Sequence, residues 1–224
     1  MPLDSITLHH LRMPYVTPFQ TSRWVETDRE FIVVQLESQG LTAWGECTAT
    51  QHCAYSYETT QTNWHLLEDF IIPAVFAADL KEPQGIHEIP AYRAAISHFT
   101  GHPMAKAGME MALWDLFAQR KGISLHELLG GTRERVRVGV SVGIQPTTEA
   151  LLETVNGYLS QGYARIKLKI KPGRDVGDVR AVRQVYPELL LQVDGNSVYR
   201  LEDTSHLKAL DDFDLLLRSR SLAS

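Results

Sequence analysis

The chain has 224 residues, 44% of them hydrophobic and 22% charged, with a formal net charge of -5. Acidic and basic residues are interspersed, so the basic stripe of a nucleic-acid binder is not there, and the composition is that of an ordinary globular protein. Nothing between Met1 and Tyr15 reads as a signal peptide, and no apolar run approaches the roughly 20 residues of a membrane helix. The expectation is a cytoplasmic protein that engages neither nucleic acid nor membrane. Cys47 and Cys53 could pair on paper, but two close cysteines in a leaderless chain read as reduced thiols. Two thiols alone also make a poor zinc site.

In chain order, Ile6 to Met13 alternates loosely and is compatible with a strand. Val16 to Asp28 is polar, carries Pro18 and reads as a loop. Phe31 to Leu36 and Leu41 to Glu46 flank Ser38-Gln39-Gly40, the signature of a hairpin. Glu58 to Phe70 is a helix with Pro73 just beyond it. Ala105 to Arg120 is the clearest helix, with Ala105, Met109, Ala112, Leu113, Leu116 and Phe117 on one stripe and Lys121-Gly122 as its stop. Leu125 to Leu129 is a short helix ended by Gly130-Gly131.

Beyond Gly131 strands and helices alternate. Val136 to Ile144, Ala164 to Ile170, Leu189 to Asp194 and Phe213 to Leu217 read as strands. Thr147 to Gln161, Asp175 to Tyr186 and Leu201 to Leu210 read as the helices between them. That order predicts a parallel α/β structure. No Gly-x-Gly-x-x-Gly follows a strand, so the choices are a (β/α)8 barrel or an open sheet.

Period-two alternation puts Lys167 and Lys169 on one strand face, with Ile166, Leu168 and Ile170 opposite. Two ammonium groups directed into a barrel need anionic partners or work to do, and each disfavours the other's protonation, so one could serve as a base. An edge strand with a solvated face explains the same spacing. Asp194 ends the next strand, where a carboxylate would face the catalytic end of a barrel and suit Mg²⁺. A turn built from Asp194-Gly195-Asn196 is the alternative.

Together, Lys167-x-Lys169 and Asp194-x-Asn196 resemble the muconate lactonising enzyme subgroup of the enolase superfamily. The run Ala105 to Leu116 followed by Leu128-Leu129-Gly130-Gly131 is similar to the capping-domain signature of that superfamily. Tyr163 to Gly173, Pro18 to Ser22, Trp44 to Cys47 and Val140 to Ile144 resemble the o-succinylbenzoate synthase / N-acylamino acid racemase family. The resemblance implies an α+β capping domain over residues 1–131 and the first part of a (β/α) barrel over 132–217, incomplete in this chain. It implies Lys169 as the proton-transferring lysine, Lys167 as its charge-neutralising neighbour and Asp194 as the first of three carboxylate ligands to Mg²⁺. The chemistry it implies is that of the superfamily, a lysine removing the α-proton while a divalent ion, usually Mg²⁺, binds the substrate carboxylate and stabilises an enediolate. Ser141, Asn196, Phe19 and Tyr55 fall where the family contacts a small carboxylate substrate, and the family is usually homo-oligomeric.

The resemblance stops at the end of the fourth barrel strand. There the family has Ile-Glu-Gln-Pro, whose Glu is the second metal ligand; this sequence has Leu215-Leu216-Leu217-Arg218-Ser219. Residues 218–224 read as a non-family tail, and the chain as cut off before its site is complete. Three readings follow: a synthase of menaquinone biosynthesis, inactive in this form; an N-acylamino acid racemase; or a non-catalytic fragment or pseudogene product. A dipeptide epimerase or a muconate cycloisomerase shares Lys-x-Lys.

Overall fold

The computed structural model describes residues 2–53, 55–79 and 87–219. Contacts divide the chain into two compact units, Met1–Pro14 with Asp28–Arg133, and Tyr15–Thr27 with Glu134–Ser224.

The first unit is α+β. The antiparallel sheet has the order β1 (Ser5–Gln20), β2 (Val25–Ser38), β3 (Leu41–Cys47), with the β1–β2 tip, Tyr15–Thr27, counted in the second unit. β2 and β3 are antiparallel and close on the register pair Ser38↔Leu41. The two linking residues, Gln39 (φ 49) and Gly40 (φ 81), are both left-handed, which matches the twist a two-residue hairpin requires. β1 and β2 are longer than the sequence predicts, and the expected loop over Val16 to Asp28 shrinks to residues 21–24. Tyr15 Oη donates to Glu26 Oε2 at 2.8 Å and Trp24 Nε1 to Glu26 Oε1 at 2.8 Å. Polar side chains thus pair across the hairpin without a hydrophobic alternation to announce it.

The helices of this unit are α1 (Thr60–Leu66), α2 (Ile72–Asp79), α3 (Ile89–Ala95), α4 (Pro103–Lys121) and α5 (Leu125–Leu128). A π turn, Leu67–Ile71, joins α1 to α2, so the helical path runs on through Pro73 instead of ending before it. Proline lacks the N–H of a regular ladder, and the wider turn, closed by the Ile72 N–H on the Leu67 carbonyl, shifts that ladder just ahead of it. Buried Leu67, Ile71 and Val75 hold the segment to the core.

α4 buries the stripe expected of it, Ala105, Met109, Ala112, Leu113, Leu116 and Phe117. Its N-terminus is capped by the buried carboxylate of Glu58, which accepts from the N–H groups of Met104 at 3.0 Å and Ala105 at 3.2 Å. Two glycines let α4 lie directly on β3. A Cβ at Gly45 would stand 2.2 Å from the Gly108 carbonyl oxygen, and one at Gly108 would stand 2.8 Å from the Cys47 Cβ. Cys47 is buried, Cys53 is exposed, and both are free thiols. Burial pushes the Cys47 thiol up despite the hydrogen bond from Asn63 Nδ2.

The second unit carries a parallel sheet in the order β4 (Gly139–Val142), β5 (Arg165–Lys169), β6 (Leu190–Asp194), β7 (Leu217–Ser219). The crossovers contain α6 (Thr148–Ser160), α7 (Asp175–Val185) and α8 (Thr204–Leu207). α6 starts where Thr147 caps it, accepting from the Ala150 N–H at 3.2 Å. One sheet face, with Ile166, Leu168, Leu191 and Val193, joins Val155 of α6 and Val179 and Val182 of α7 in a single apolar cluster. The last crossover is not the continuous helix expected over Leu201 to Leu210. Two 3₁₀ segments, Leu201–Asp203 and Lys208–Phe213, flank a four-residue α8. Leu207 and Leu210 are its buried anchors, too few apolar positions to bind a regular helix face.

The fold class is the one the sequence suggests: an α+β capping domain and a partial parallel β/α sheet consistent with an incomplete barrel. Of the proposed tail, Arg218 and Ser219 lie in β7, and residues 220–224 lie outside the described residues. Among the described residues, no helix is long and apolar enough to cross a membrane.

Candidate active site

The alternation of β5 buries Ile166 and Leu168 and turns Lys167 and Lys169 to the other face. Parallel pairing then sets Lys169 opposite Asp194 and Lys167 opposite Gln192, with Ser141 of β4 opposite Lys167 on its other side. In-register residues on neighbouring strands point the same way. Ser141, Lys167, Lys169, Gln192 and Asp194 therefore share one face, and Asp194 and Lys169 are the last residues of their strands.

Lys169 Nζ donates to Asp194 Oδ2 at 2.8 Å, and Lys167 Nζ stands 3.4 Å from the same oxygen. The side chains of Asp194 and Lys169 are only 5% and 8% exposed, against 32% for Lys167. The other carboxylate oxygen, Oδ1, accepts from the Asn196 N–H at 3.0 Å. Burial alone would raise the Asp194 carboxyl. The Lys169 hydrogen bond, the Asn196 N–H and the charges of both lysines outweigh it, and the group titrates below the ordinary aspartate range.

Asn196 lies in a turn whose backbone is unusual. Asn196 (φ 49) and the next residue, Ser197 (φ 58), are both left-handed. For a residue with a Cβ that conformation costs about 1–2 kcal/mol, less for Asn, whose side chain bonds locally. Asn196 is itself buried, and its Oδ1 has no hydrogen-bond partner.

The tip of the β1–β2 hairpin reaches the same loops. Gln20 O accepts from the Ile144 N–H at 2.8 Å, and Ser22 Oγ donates to Gly195 O at 2.6 Å. Phe19 packs on Gly143, where a Cβ would fall 3.3 Å from the Phe19 ring and 3.1 Å from Gln20 O.

A second polar cluster ties the β5–α7 and β6–α8 connections together. The Asp175 carboxylate, at the start of α7, is 2% exposed; it accepts from Tyr199 Oη and contacts His206 Nε2 at 2.9 Å. Burial, then the hydrogen bond to Asp175 and its charge, push the Tyr199 phenol well up, so it remains a donor. Arg174 donates from Nη1 to Gln145 O at 2.6 Å and from Nη2 to Asp178 Oδ1 at 2.9 Å, which secures the loop after β4.

The residues singled out in the sequence take these places. Lys167, Lys169 and Asp194 meet directly, Asn196 joins them through its backbone, and Ser141 lies level with Lys167. Phe19 belongs to the same unit; Tyr55 belongs to the first unit, with about half its surface exposed. Gln192 is open to the same alternation argument, since it lies two residues before Asp194. Ser22 lies in the family-like run Pro18 to Ser22, though not singled out there as a site residue, and nothing local in the sequence marks Arg23.

Asp194 offers the hard oxygen donor that a small divalent cation takes. Among the described residues, however, no group of three or more His, Cys, Asp or Glu stands together to hold a metal ion. Both oxygens of Asp194 are engaged by N–H donors. The residues described therefore amount to one ligand of a metal site and do not fit a whole one.

A buried carboxylate bracketed by two ammonium groups lies at the C-terminal tips of parallel strands, the end at which enzymes of the β/α-barrel class carry their sites. Residues 5–130 match the Mandelate racemase / muconate lactonizing enzyme, N-terminal domain. The chain belongs to that family and, within the enolase superfamily, to its o-succinylbenzoate synthase / N-succinylamino acid racemase branch. It is 44% identical over 223 residues to an o-succinylbenzoate synthase of Geobacillus kaustophilus, covering 99% of this chain and 58% of the relative. It is 41% identical to an N-succinylamino acid racemase of Thermus thermophilus, covering 96% of this chain and 57% of that protein. Among solved structures, a probable mandelate racemase from Alicyclobacillus acidocaldarius superposes with a TM-score of 0.89 at 35% identity, over 98% of this chain and 58% of that one. The chain thus spans less than two thirds of the length of these relatives.

Proposed function

We propose that the second unit carries the proton-transfer face of an o-succinylbenzoate synthase-type dehydratase. In this reading Lys169 takes the proton α to the substrate carboxylate. Lys167 faces the developing negative charge and offsets it. Loss of water then gives o-succinylbenzoate, a menaquinone precursor. Asp194 would contribute one oxygen ligand to a Mg²⁺ ion, and a bound ion would supply Lewis-acid chemistry there. Ser141 and Asn196 contact the substrate at the strand ends, with Phe19 on the loop beside them; Tyr55 is a further substrate-contacting residue. The substrate is a small carboxylate, the compartment is the cytoplasm, and the assembly is a homo-oligomer.

The observation that carries the reading is the convergence of Lys169 and Lys167 on one buried oxygen of Asp194, at 2.8 and 3.4 Å. A solvated strand face would leave both ammonium groups in water; here Lys169 is nearly sealed from it. Racemisation of N-acylamino acids is the second reading. It needs the same lysine pair, and relatives of both names match the chain at similar identity.

With a single carboxylate beside the lysines among the described residues, this 224-residue chain holds the ion weakly and turns over little on its own. Binding is therefore the informative test. Ligand that binds the native state raises the melting temperature. o-Succinylbenzoate with Mg²⁺ should raise it in the wild type and not in Lys169→Met; an equal response in both, or none in the wild type, would overturn the proposal.

A further inference from the structure

We propose that Ser22 and Arg23 are positioning residues that latch the Gly195–Asn196–Ser197 turn in its left-handed form, and thereby set the Asn196 side chain beside Asp194. The consequence for substrate contact rests on the function proposed above; the latch itself does not.

Three observations converge on this turn. First, its backbone adopts an unfavourable conformation at two successive residues that both carry a Cβ, Asn196 and Ser197. Such a conformation persists only where the surroundings hold it. Within the turn the Val198 N–H reaches Gly195 O at 3.1 Å, and the Asn196 N–H reaches Asp194 Oδ1.

Second, the remaining restraints come from the far end of the sequence. Ser22 Oγ donates to Gly195 O at 2.6 Å, and Arg23 Nη2 donates to Ser197 O at 2.5 Å. The Gly195 carbonyl belongs to the peptide plane just before Asn196 and the Ser197 carbonyl to the plane just after Ser197, so the two side chains hold the left-handed pair from both ends. The Ser22–Arg23 segment is itself ordered by Thr21, whose buried hydroxyl accepts from the N–H groups of Arg23 at 3.2 Å and Trp24 at 3.1 Å.

Third, what the latch positions is an unsatisfied group. Asn196 Oδ1 is buried without a partner, although buried acceptors are nearly always paired. An orphan acceptor two residues beyond a buried carboxylate suits a ligand that brings an N–H or O–H donor alongside its own carboxylate. A hydroxy acid or an N-acylamino acid has that chemistry. An Asn side chain free to swing would instead find a partner of its own. The clamp keeps this one available.

The test is amide hydrogen exchange of the full 224-residue chain, read residue by residue by NMR. Arg23→Ala should speed exchange at Asn196 and Val198 by about tenfold, the loss of one charge-assisted hydrogen bond. It should also shift the Asn196 side-chain amide resonance while leaving Val155 and Val182 protected as before. Ser197→Gly removes the penalty on the left-handed backbone, so Arg23→Ala/Ser197→Gly should recover the wild-type Asn196 signal. Arg23→Lys, which keeps a donor, should recover part of it. Unchanged exchange and an unchanged Asn196 signal in Arg23→Ala would overturn the proposal. So would a loss that Ser197→Gly does not repair, since that pattern belongs to general loosening. No ligand enters this measurement, so its outcome is independent of whether Lys169 moves a proton.

Discussion

Lys169 and Asp194 are register partners on adjacent parallel strands, and the Lys169 ammonium donates to Asp194 Oδ2 at 2.8 Å with both side chains almost fully buried. A buried ion pair contributes little compared with a well-packed apolar pair, but breaking one partner is costly. Asp194→Asn should therefore destabilise the chain by about 2–4 kcal/mol, because Lys169 is left buried without an anion. Lys167→Ala removes the longer and more exposed contact and should cost under about 1 kcal/mol. Urea denaturation of the two variants checks the order, and equal losses would contradict it.

The depressed titration of Asp194 makes stability depend on pH. Its folded pKa lies below its unfolded one, so the stabilisation is complete above the ordinary carboxylate range near about pH 4 and is lost as pH falls through the lower folded value. The melting temperature of the wild type should converge on that of Asp194→Asn as pH drops below about 4. A gap that stays constant down to the lowest pH at which both fold would contradict this assignment.

Gly45 and Gly108 let a strand and a helix touch backbone to backbone. A methyl group at Gly45 would meet the Gly108 carbonyl at 2.2 Å and the Ala112 nitrogen at 2.6 Å, and neither atom can yield alone. Gly45→Ala should cost about 3 kcal/mol, the upper end for overpacking. Gly157→Ala, on α6 with open space around its Cα, should be neutral or stabilising by some tenths of a kcal/mol. Thermal melts of both variants decide it.

Much of this architecture is legible in the amino-acid order. β5 and β6 are readable because burial on one face forces a period of two, and that period by itself puts Lys167 and Lys169 on the same side of the strand. α4 is readable because its stripe, its Pro103 start and its Gly122 stop all agree. The hairpin tip is not, because Tyr15, Trp24 and Glu26 pair through polar groups that carry no periodic signal. The Arg23–Ser197 contact joins residues 174 apart, and no local rule reaches that far. The left-handed pair Asn196–Ser197 is invisible for a related reason: Asp-Gly-Asn announces a turn, but not which residue bears the positive φ.

Proton exchange separates the chemistry from the binding. With N-succinylamino acids and Mg²⁺ in deuterated water, the chain alone should show α-proton loss close to the uncatalysed background, since one carboxylate holds the ion weakly. Robust exchange followed by mass spectrometry would contradict the low turnover proposed for this chain.

The central claim is that the Lys169–Asp194 face receives a small carboxylate. A crystal structure of the chain with o-succinylbenzoate and Mg²⁺ tests it most directly. The account predicts the ligand at the ends of β5 and β6, within hydrogen-bonding reach of Lys169 Nζ. Ligand bound elsewhere, with the Lys169–Asp194 pair untouched and no density at the strand ends, would contradict it.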